Sequence, residues 1–305
     1  MQKKRIMSGM RSTGKLHLGH YFGVLKNWLA LQKEYECYFM IADLHALTTK
    51  YKDTSLMKEH VLEVAKDWIS CGIDSDETTI YIQSDVPEIS ELHVLLSMIT
   101  PQNWVERDPT LKDMIKILRD SGDSEGDKGT YGLFGYPVLQ TADIVMFNAH
   151  LVPVGSDQLA HLEMSRDIVR RFNHMYKTNL IVEPTPKLTE IPLLPGLDGL
   201  KMGKSFNNDV KIGDTAEETK KKIMTAITDP ARIKKTDPGN VEECRGIYPL
   251  YKTIADETTL KTVKEECHGA QRGCVQCKKQ LIEIVNDYFK DIRTKRKILD
   301  DSPQK

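Results

Sequence analysis

The chain has 305 residues, 40% of them hydrophobic and 29% charged, with a formal net charge of -1. That is enough for one large domain and a smaller one, and too balanced for bulk attraction to a polyanion, so any RNA contact has to come from local patches. No apolar run reaches the ~20 residues of a membrane span, and Met1-Gln2-Lys3-Lys4-Arg5 leads into a strand rather than a signal-peptide core, so a cytoplasmic protein with no membrane partner is expected.

In chain order, Arg5 to Met10 reads as a first strand and Arg11 to Lys15 as a glycine-containing turn. Leu18 to Tyr35 then carries Phe22, Leu25, Leu29 and Leu31 at helical spacing. Cys37 to Asp43 is a near-continuous apolar run of the kind buried on both faces of a sheet. A helix containing Val61, Val64 and Trp68 leads to a strand at Thr79 to Ile82. Leu151 to Val154 is a further short strand, feeding a helix that starts near Asp157. This alternation predicts an α/β protein, a Rossmann-like doubly wound parallel sheet with a C-terminal helical domain. Asp214 to Glu218 looks like a helix start with acids in its first turn, and strand-like runs are scarce beyond it. The expected division is a catalytic domain over residues 1–205 and a helical one over 206–305.

Two segments far apart carry chemistry. His17-Leu18-Gly19-His20 places two imidazoles and a side-chain-free position at a helix N-terminus, where amide groups and the helix dipole favour phosphate. Lys201-Met202-Gly203-Lys204-Ser205 supplies two mobile cations and a hydroxyl, donors able to follow charge onto a departing pyrophosphate. Either alone is weak: the first also marks other nucleotidyltransferases, and a lysine-rich pentapeptide is commonly a solvated loop. Together, in this order and with Leu197-Asp198-Gly199 just before the lysines, they resemble the two signatures of class I aminoacyl-tRNA synthetases. The resemblance implies that a substrate carboxylate attacks the α-phosphate of ATP, with His17, His20, Lys201 and Lys204 as catalytic residues.

Further stretches are similar to tryptophanyl-tRNA synthetases: Ser8 to Gly14, Cys37 to His45, Tyr136 to Asp143, and Val152 to Gln158 followed by His161. A tyrosine-specific relative needs partners for the phenol, one of them a first-strand tyrosine. Here that position is Met7, an apolar wall, while Asp143 is a suitable acceptor for an indole N–H. By the same resemblance Tyr136 and Gln158 orient the substrate ammonium, and Gly9, His45 and Gln140 lie around the pocket, Gln140 standing where methionine is usual. On the ATP side it implies Arg11, Ser12 and Thr13 along the phosphates and Gly19 and His20 against adenine or ribose. Asp157 reaches a ribose hydroxyl, Gly155 and Ser156 belong to the ATP-binding set, Leu193 and Leu194 flank adenine through their backbones, and Lys201, Met202, Gly203, Lys204 and Ser205 form the lysine loop. Gly203, where serine is commoner, should loosen that loop. Mg2+ accompanies ATP as part of the substrate.

Of six cysteines, Cys37 and Cys71 read as buried small residues, whereas Cys244, Cys267, Cys274 and Cys277 are spaced Cys-x22-Cys-x6-Cys-x2-Cys in the C-terminal third. Four nearby cysteines suit tetrahedral Zn2+ or an iron–sulfur cluster, and generic reasoning favours zinc. The family resemblance implies instead the [4Fe-4S] cluster of a bacterial subgroup, in the anticodon-binding region. Candidate contacts to the tRNA backbone are Arg232, Lys234, Lys235, Arg272 and the run Arg293 to Lys297. The expected partners are therefore tRNA(Trp), L-tryptophan, ATP and a second copy of the chain. A tyrosine-specific sibling and a synthetase-like RNA-binding or regulatory protein are the alternatives.

Overall fold

The computed structural model describes residues 3–120, 129–155, 159–188, 194–234 and 236–302. Five parallel strands form one sheet: β1 (Arg5–Arg11), β2 (Glu36–Ala42), β3 (Thr78–Ile82), β4 (Leu151–Val154) and β5 (Thr185–Leu188), in the order β3-β2-β1-β4-β5. β1 pairs with β2 from Arg5 opposite Glu36 to Arg11 opposite Ala42, and meets β4 on its other side at Ile6 and Leu151. The chain builds outward from β1 in one direction and then in the other. The topological switch therefore falls between β1 and β4, where open parallel sheets receive ligands beyond the strand C-termini. Arg11 ends β1 at that edge, and Gly155 follows β4.

The central strands lack alternation because helices cover both faces: Ile6, Met7, Phe39, Met40 and Ile41 are all buried. Met7 and Met40 share a core with Ile89 and Leu96 of the helix Pro87–Ile99, Val138 and Ile144 of Tyr131–Met146, and Ile168 of Leu159–Met175. β5 was not anticipated. Its sequence, Thr-Pro-Lys-Leu, is short and carries a proline, which a sheet tolerates at its edge, where a missing ladder donor costs little.

Two compact units divide the chain. One comprises residues 1–14, 30–65 and 73–190 and holds the whole sheet; the other comprises 15–29, 66–72 and 191–305. In the second unit, Thr215 and Glu218 form a reciprocal cap, Glu218 N donating to Thr215 Oγ1 at 3.2 Å and Thr215 N to Glu218 Oε2 at 2.8 Å. The expected helix start is thereby met, at Ala216–Thr225, and the helices Glu257–His268, Cys274–Tyr288 and Lys290–Asp301 follow. Trp28 and Trp68 meet edge to face at 5.0 Å in its interior. Buried Asp67 accepts from Leu16 N at 2.7 Å and pairs with buried Arg296, drawing together three stretches remote in sequence.

The run predicted as one helix from Leu18 to Tyr35 is helical as far as Glu34, in three registers: α at Leu18–His20, a π turn at Tyr21–Leu25, and α again over Lys26–Glu34. Such single π turns recur at functional sites. Among the described residues no helix is long and apolar enough to cross a membrane.

Candidate active site

The second unit brings both signatures together. Leu18 N donates to Val210 O and Ile212 N to Leu16 O, each at 2.9 Å, and His17 forms an antiparallel bridge with Lys211. The first signature is thus stapled to the segment just beyond the second. The two imidazole centroids lie 3.7 Å apart, and His17 N donates to His20 Nδ1 at 3.2 Å. A Cβ at Gly19 would lie 3.0 Å from the His17 ring and 3.6 Å from Met202 Sδ. Glycine here lets the second signature pack over the first.

Burial pulls His17 down to about 4, with Lys204 adding to the effect and Asp209 opposing it. His20 lies well below its usual range through burial, His17 and Lys204. Both rings are therefore neutral near pH 7, and His17 Nδ1 is buried with no hydrogen-bond partner among the described residues. Lys204 is lowered to about 8, chiefly by burial, although Asp67 and Asp209 hold it up. A cation so placed gains much from an arriving polyphosphate.

Asn208 shapes the lysine loop. Its Nδ2 donates to Asp198 Oδ1 at 2.8 Å and Lys201 O at 3.1 Å, and its Oδ1 accepts from Gly203 N at 2.9 Å. A Cβ at Gly196 would sit 2.3 Å from Asn208 Nδ2, so only glycine leaves room for this side chain. Gly203 itself is extended, with φ -168°, a conformation open to any residue. The loosening expected of glycine there is not a backbone requirement. Lys201 is exposed, Met202 and Leu194 are buried, and Ser205 lies in the short turn Lys204–Phe206.

In the sheet-bearing unit, Asp143 is 0% exposed. His45 Nε2 lies 2.7 Å from its Oδ2, Gln83 Nε2 donates to its Oδ1 at 2.8 Å, and His45 N donates to Gln83 Oε1 at 3.2 Å. Burial raises the Asp143 carboxyl, while the bonds from His45 and Gln83 oppose that rise. Each oxygen keeps a second lone pair for a further donor. A second buried chain runs from Tyr136, whose hydroxyl lies 3.1 Å from His161 Nε2, to Asp108, whose Oδ2 lies 2.5 Å from His161 Nδ1. Met7 and Gly9 lie on β1, and a Cβ at Gly9 would meet Met40 O at 3.1 Å. Arg11 donates to Thr49 Oγ1, Ser12 Oγ to Met57 Sδ at 3.6 Å, and Thr13 N to Arg11 O at 2.9 Å. Gln140 is half-buried on the helix Tyr131–Met146. Ser156, Asp157, Gln158 and Leu193 lie outside the described residues.

Cys244, Cys267, Cys274 and Cys277 are free and half-buried. Burial raises the thiols of Cys244, Cys267 and Cys277, and charge on other cysteines of this set adds to the rise in each case. Arg232 Nη1 donates to Cys267 Sγ at 3.8 Å. Among the described residues no three Cys, His, Asp or Glu side chains converge on a metal position as they stand. Several expected RNA contacts are committed elsewhere. Arg272 is buried against Glu266, and Arg296 against Asp67. Arg293 donates to Ile212 O at 3.2 Å and Thr219 Oγ1 at 2.9 Å. Spacing alone could not separate these internal anchors from the exposed Lys234, Lys295 and Lys297, and Lys235 lies outside the described residues.

Comparison with known proteins decides the family. Residues 1–290 match the tRNA synthetases class I (W and Y). The chain is 42% identical to the tryptophan–tRNA ligase of Thermotoga maritima, over 98% of its length and 90% of that protein, and 39% identical to that of Aquifex aeolicus, over 97% and 91%. The tryptophanyl-tRNA synthetase of Campylobacter jejuni complexed with ADP and tryptophan superposes with a TM-score of 0.86 at 33% identity, covering 98% of this chain and 90% of that one. The chain belongs to the tryptophanyl-tRNA synthetases. Within this tryptophanyl-tRNA synthetase, Gln83, Asp108 and Asn208 contact residues expected at the site, and the sequence reading did not name them. Gln83 had a usable signal, being the first polar residue after a strand C-terminus on the ligand-binding side of a parallel sheet. Asp108 before Pro109 signals only a helix start, and Asn208 only a loop.

Proposed function

We propose that the chain is a tryptophan–tRNA ligase that acts in two steps. A carboxylate oxygen of L-tryptophan attacks the α-phosphorus of ATP and expels pyrophosphate, giving tryptophanyl-adenylate; tRNA(Trp) then takes the tryptophanyl group and releases AMP. No protein nucleophile is required, because positioning and charge stabilisation supply the rate. The observation that carries this reading is the meeting of both signatures in one unit, with His17 and His20 neutral beside a cationic Lys204.

In this reading Arg11, Ser12, Thr13, Gly19, His20, Gly155, Ser156, Asp157, Leu193 and Leu194, with Lys201 to Ser205, bind ATP and its Mg2+. Met7, Gly9, His45, Tyr136, Gln140, Asp143 and Gln158 bind tryptophan. Lys201 and Lys204 follow charge onto pyrophosphate, while neutral His17 and His20 donate without bringing a proton to exchange. Residues 206–305 are assigned to the anticodon, and the enzyme to the cytoplasm as a homodimer. Amino-acid-dependent ATP–pyrophosphate exchange tests the reaction. Exchange stimulated by tryptophan and not by tyrosine is expected; stimulation by tyrosine, or by neither, overturns it.

Cys244, Cys267, Cys274 and Cys277 are assigned to a [4Fe-4S] cluster, with Zn2+ as the alternative. Four thiols within reach of one another's charge, with Arg232 beside Cys267 to offset thiolate charge, suit such a donor set in kind and number. Its chemistry there is structural, cross-linking the RNA-facing unit. Iron and acid-labile sulfide with broad absorption near ~400 nm are expected; a colourless, zinc-loaded protein replaces the assignment with zinc.

A further inference from the structure

We propose that Asp108 and His161 fix the direction of the Tyr136 hydroxyl, so that it only accepts hydrogen bonds from a ligand and thereby selects the α-ammonium of the amino acid. This rests on reading the sheet-bearing unit as the tryptophan site. Asp108 and His161 are each 2% exposed, and Tyr136 is buried. Asp108 divides its carboxylate between two tasks. Oδ1 accepts from Thr110 N at 2.8 Å and Leu111 N at 3.2 Å, capping the helix Pro109–Asp120, and Oδ2 lies 2.5 Å from His161 Nδ1.

The direction of each bond then follows from the donor inventory. An ionised carboxylate carries no proton of its own, so with Oδ2 and Nδ1 only 2.5 Å apart the geometry assigns the His161 proton to Nδ1. Nε2 is left as an acceptor, and the Tyr136 hydroxyl 3.1 Å away must donate to it. With its hydrogen spent inward, the hydroxyl offers a ligand nothing but lone pairs. An ammonium, which carries three donors and no acceptor, matches that; a ligand acceptor does not. A charged imidazolium would turn the hydroxyl hydrogen outward and add a buried positive charge beside the ligand ammonium. Thr141 Oγ1 and Ser165 Oγ, 2.9 Å apart, lock the same helix pair, Ser165 Oγ donating to His161 O at 3.1 Å.

Asp108→Asn isolates the effect. The two backbone amides continue to claim the amide oxygen, so the Asn NH2 faces His161 Nδ1 and moves the ring proton to Nε2. The ring then donates to Tyr136, whose hydrogen swings toward the ligand. Isothermal titration of L-tryptophan and of indole-3-propionate, which lacks the ammonium, reads the outcome. Tryptophan affinity is expected to fall at least tenfold and indole-3-propionate affinity to stay within twofold, with no further loss when Asp108→Asn is added to Tyr136→Phe. Equal losses for both ligands, or no loss, overturn the proposal. If Asp108→Asn does not fold, His161→Phe, which takes away the acceptor of the Tyr136 hydroxyl, is titrated in its place and must show the same selective loss, with no further loss when it is added to Tyr136→Phe. Failure of the unaltered protein to bind tryptophan would instead remove the reading of the pocket on which the inference rests.

Discussion

In the proposed reaction Lys204 must carry charge to stabilise a departing pyrophosphate, yet burial has brought it to about 8. Deprotonation removes the charge, so kcat/KM for ATP in tryptophan-dependent exchange should fall as pH rises through about 8. Lys204→Arg should flatten that limb. Lys204→Ala should slow adenylate formation far more than it weakens tryptophan binding, and equal losses would point to a folding role. For His17 the sign is opposite. Its folded pKa of about 4 lies below the unfolded value of 6.5, so the unfolded chain takes up the proton first and stability drains away as pH falls through that window. Thermal melts should show a loss of up to about 3 kcal/mol, shallower in His17→Asn. These residues were legible because short motifs preserve both order and spacing. The Asp108–His161–Tyr136 chain was not, because its members stand far apart in sequence and meet only through the packing of helices.

At the level of elements, the lysine loop is held from within by Asn208. Asn208→Ala strips three hydrogen bonds from Asp198, Lys201 and Gly203, and at about 0.5–1.5 kcal/mol each it should cut exchange by roughly tenfold or more. Tryptophan affinity, measured by titration, should be unaltered. The cap at Thr215 belongs to a different function: Thr215→Ala should cost about 1 kcal/mol of stability in thermal unfolding and leave exchange intact. β1 to β4 were readable as buried apolar runs and the Ala216–Thr225 helix from its acidic first turn. β5 was not, since a four-residue Thr-Pro-Lys-Leu strand has neither alternation nor length to betray it. The π turn at Tyr21–Leu25 was hidden for another reason, because its side-chain spacing differs from that of an α-helix by only one residue.

For the whole molecule, strand-and-helix alternation was enough to predict a doubly wound sheet, whereas the path of the second unit was not predictable from any one stretch. That unit borrows residues 15–29 and 66–72 and joins them to 191–305. Asp67→Ala would leave buried Arg296 with the more distant Asp300 carboxylate, at 3.3 Å, and Leu16 N without its acceptor, and should destabilise the protein by about 3–5 kcal/mol. The same arrangement has a consequence for biosynthesis. The first signature leaves the ribosome long before Arg296, the arginine that anchors its foundation, is made; at about 5–20 residues per second the wait is on the order of 15–60 s. For that interval the nascent chain holds His17 and His20 without their scaffold, and the ability to activate tryptophan should arise abruptly, once the helix Lys290–Asp301 has been made.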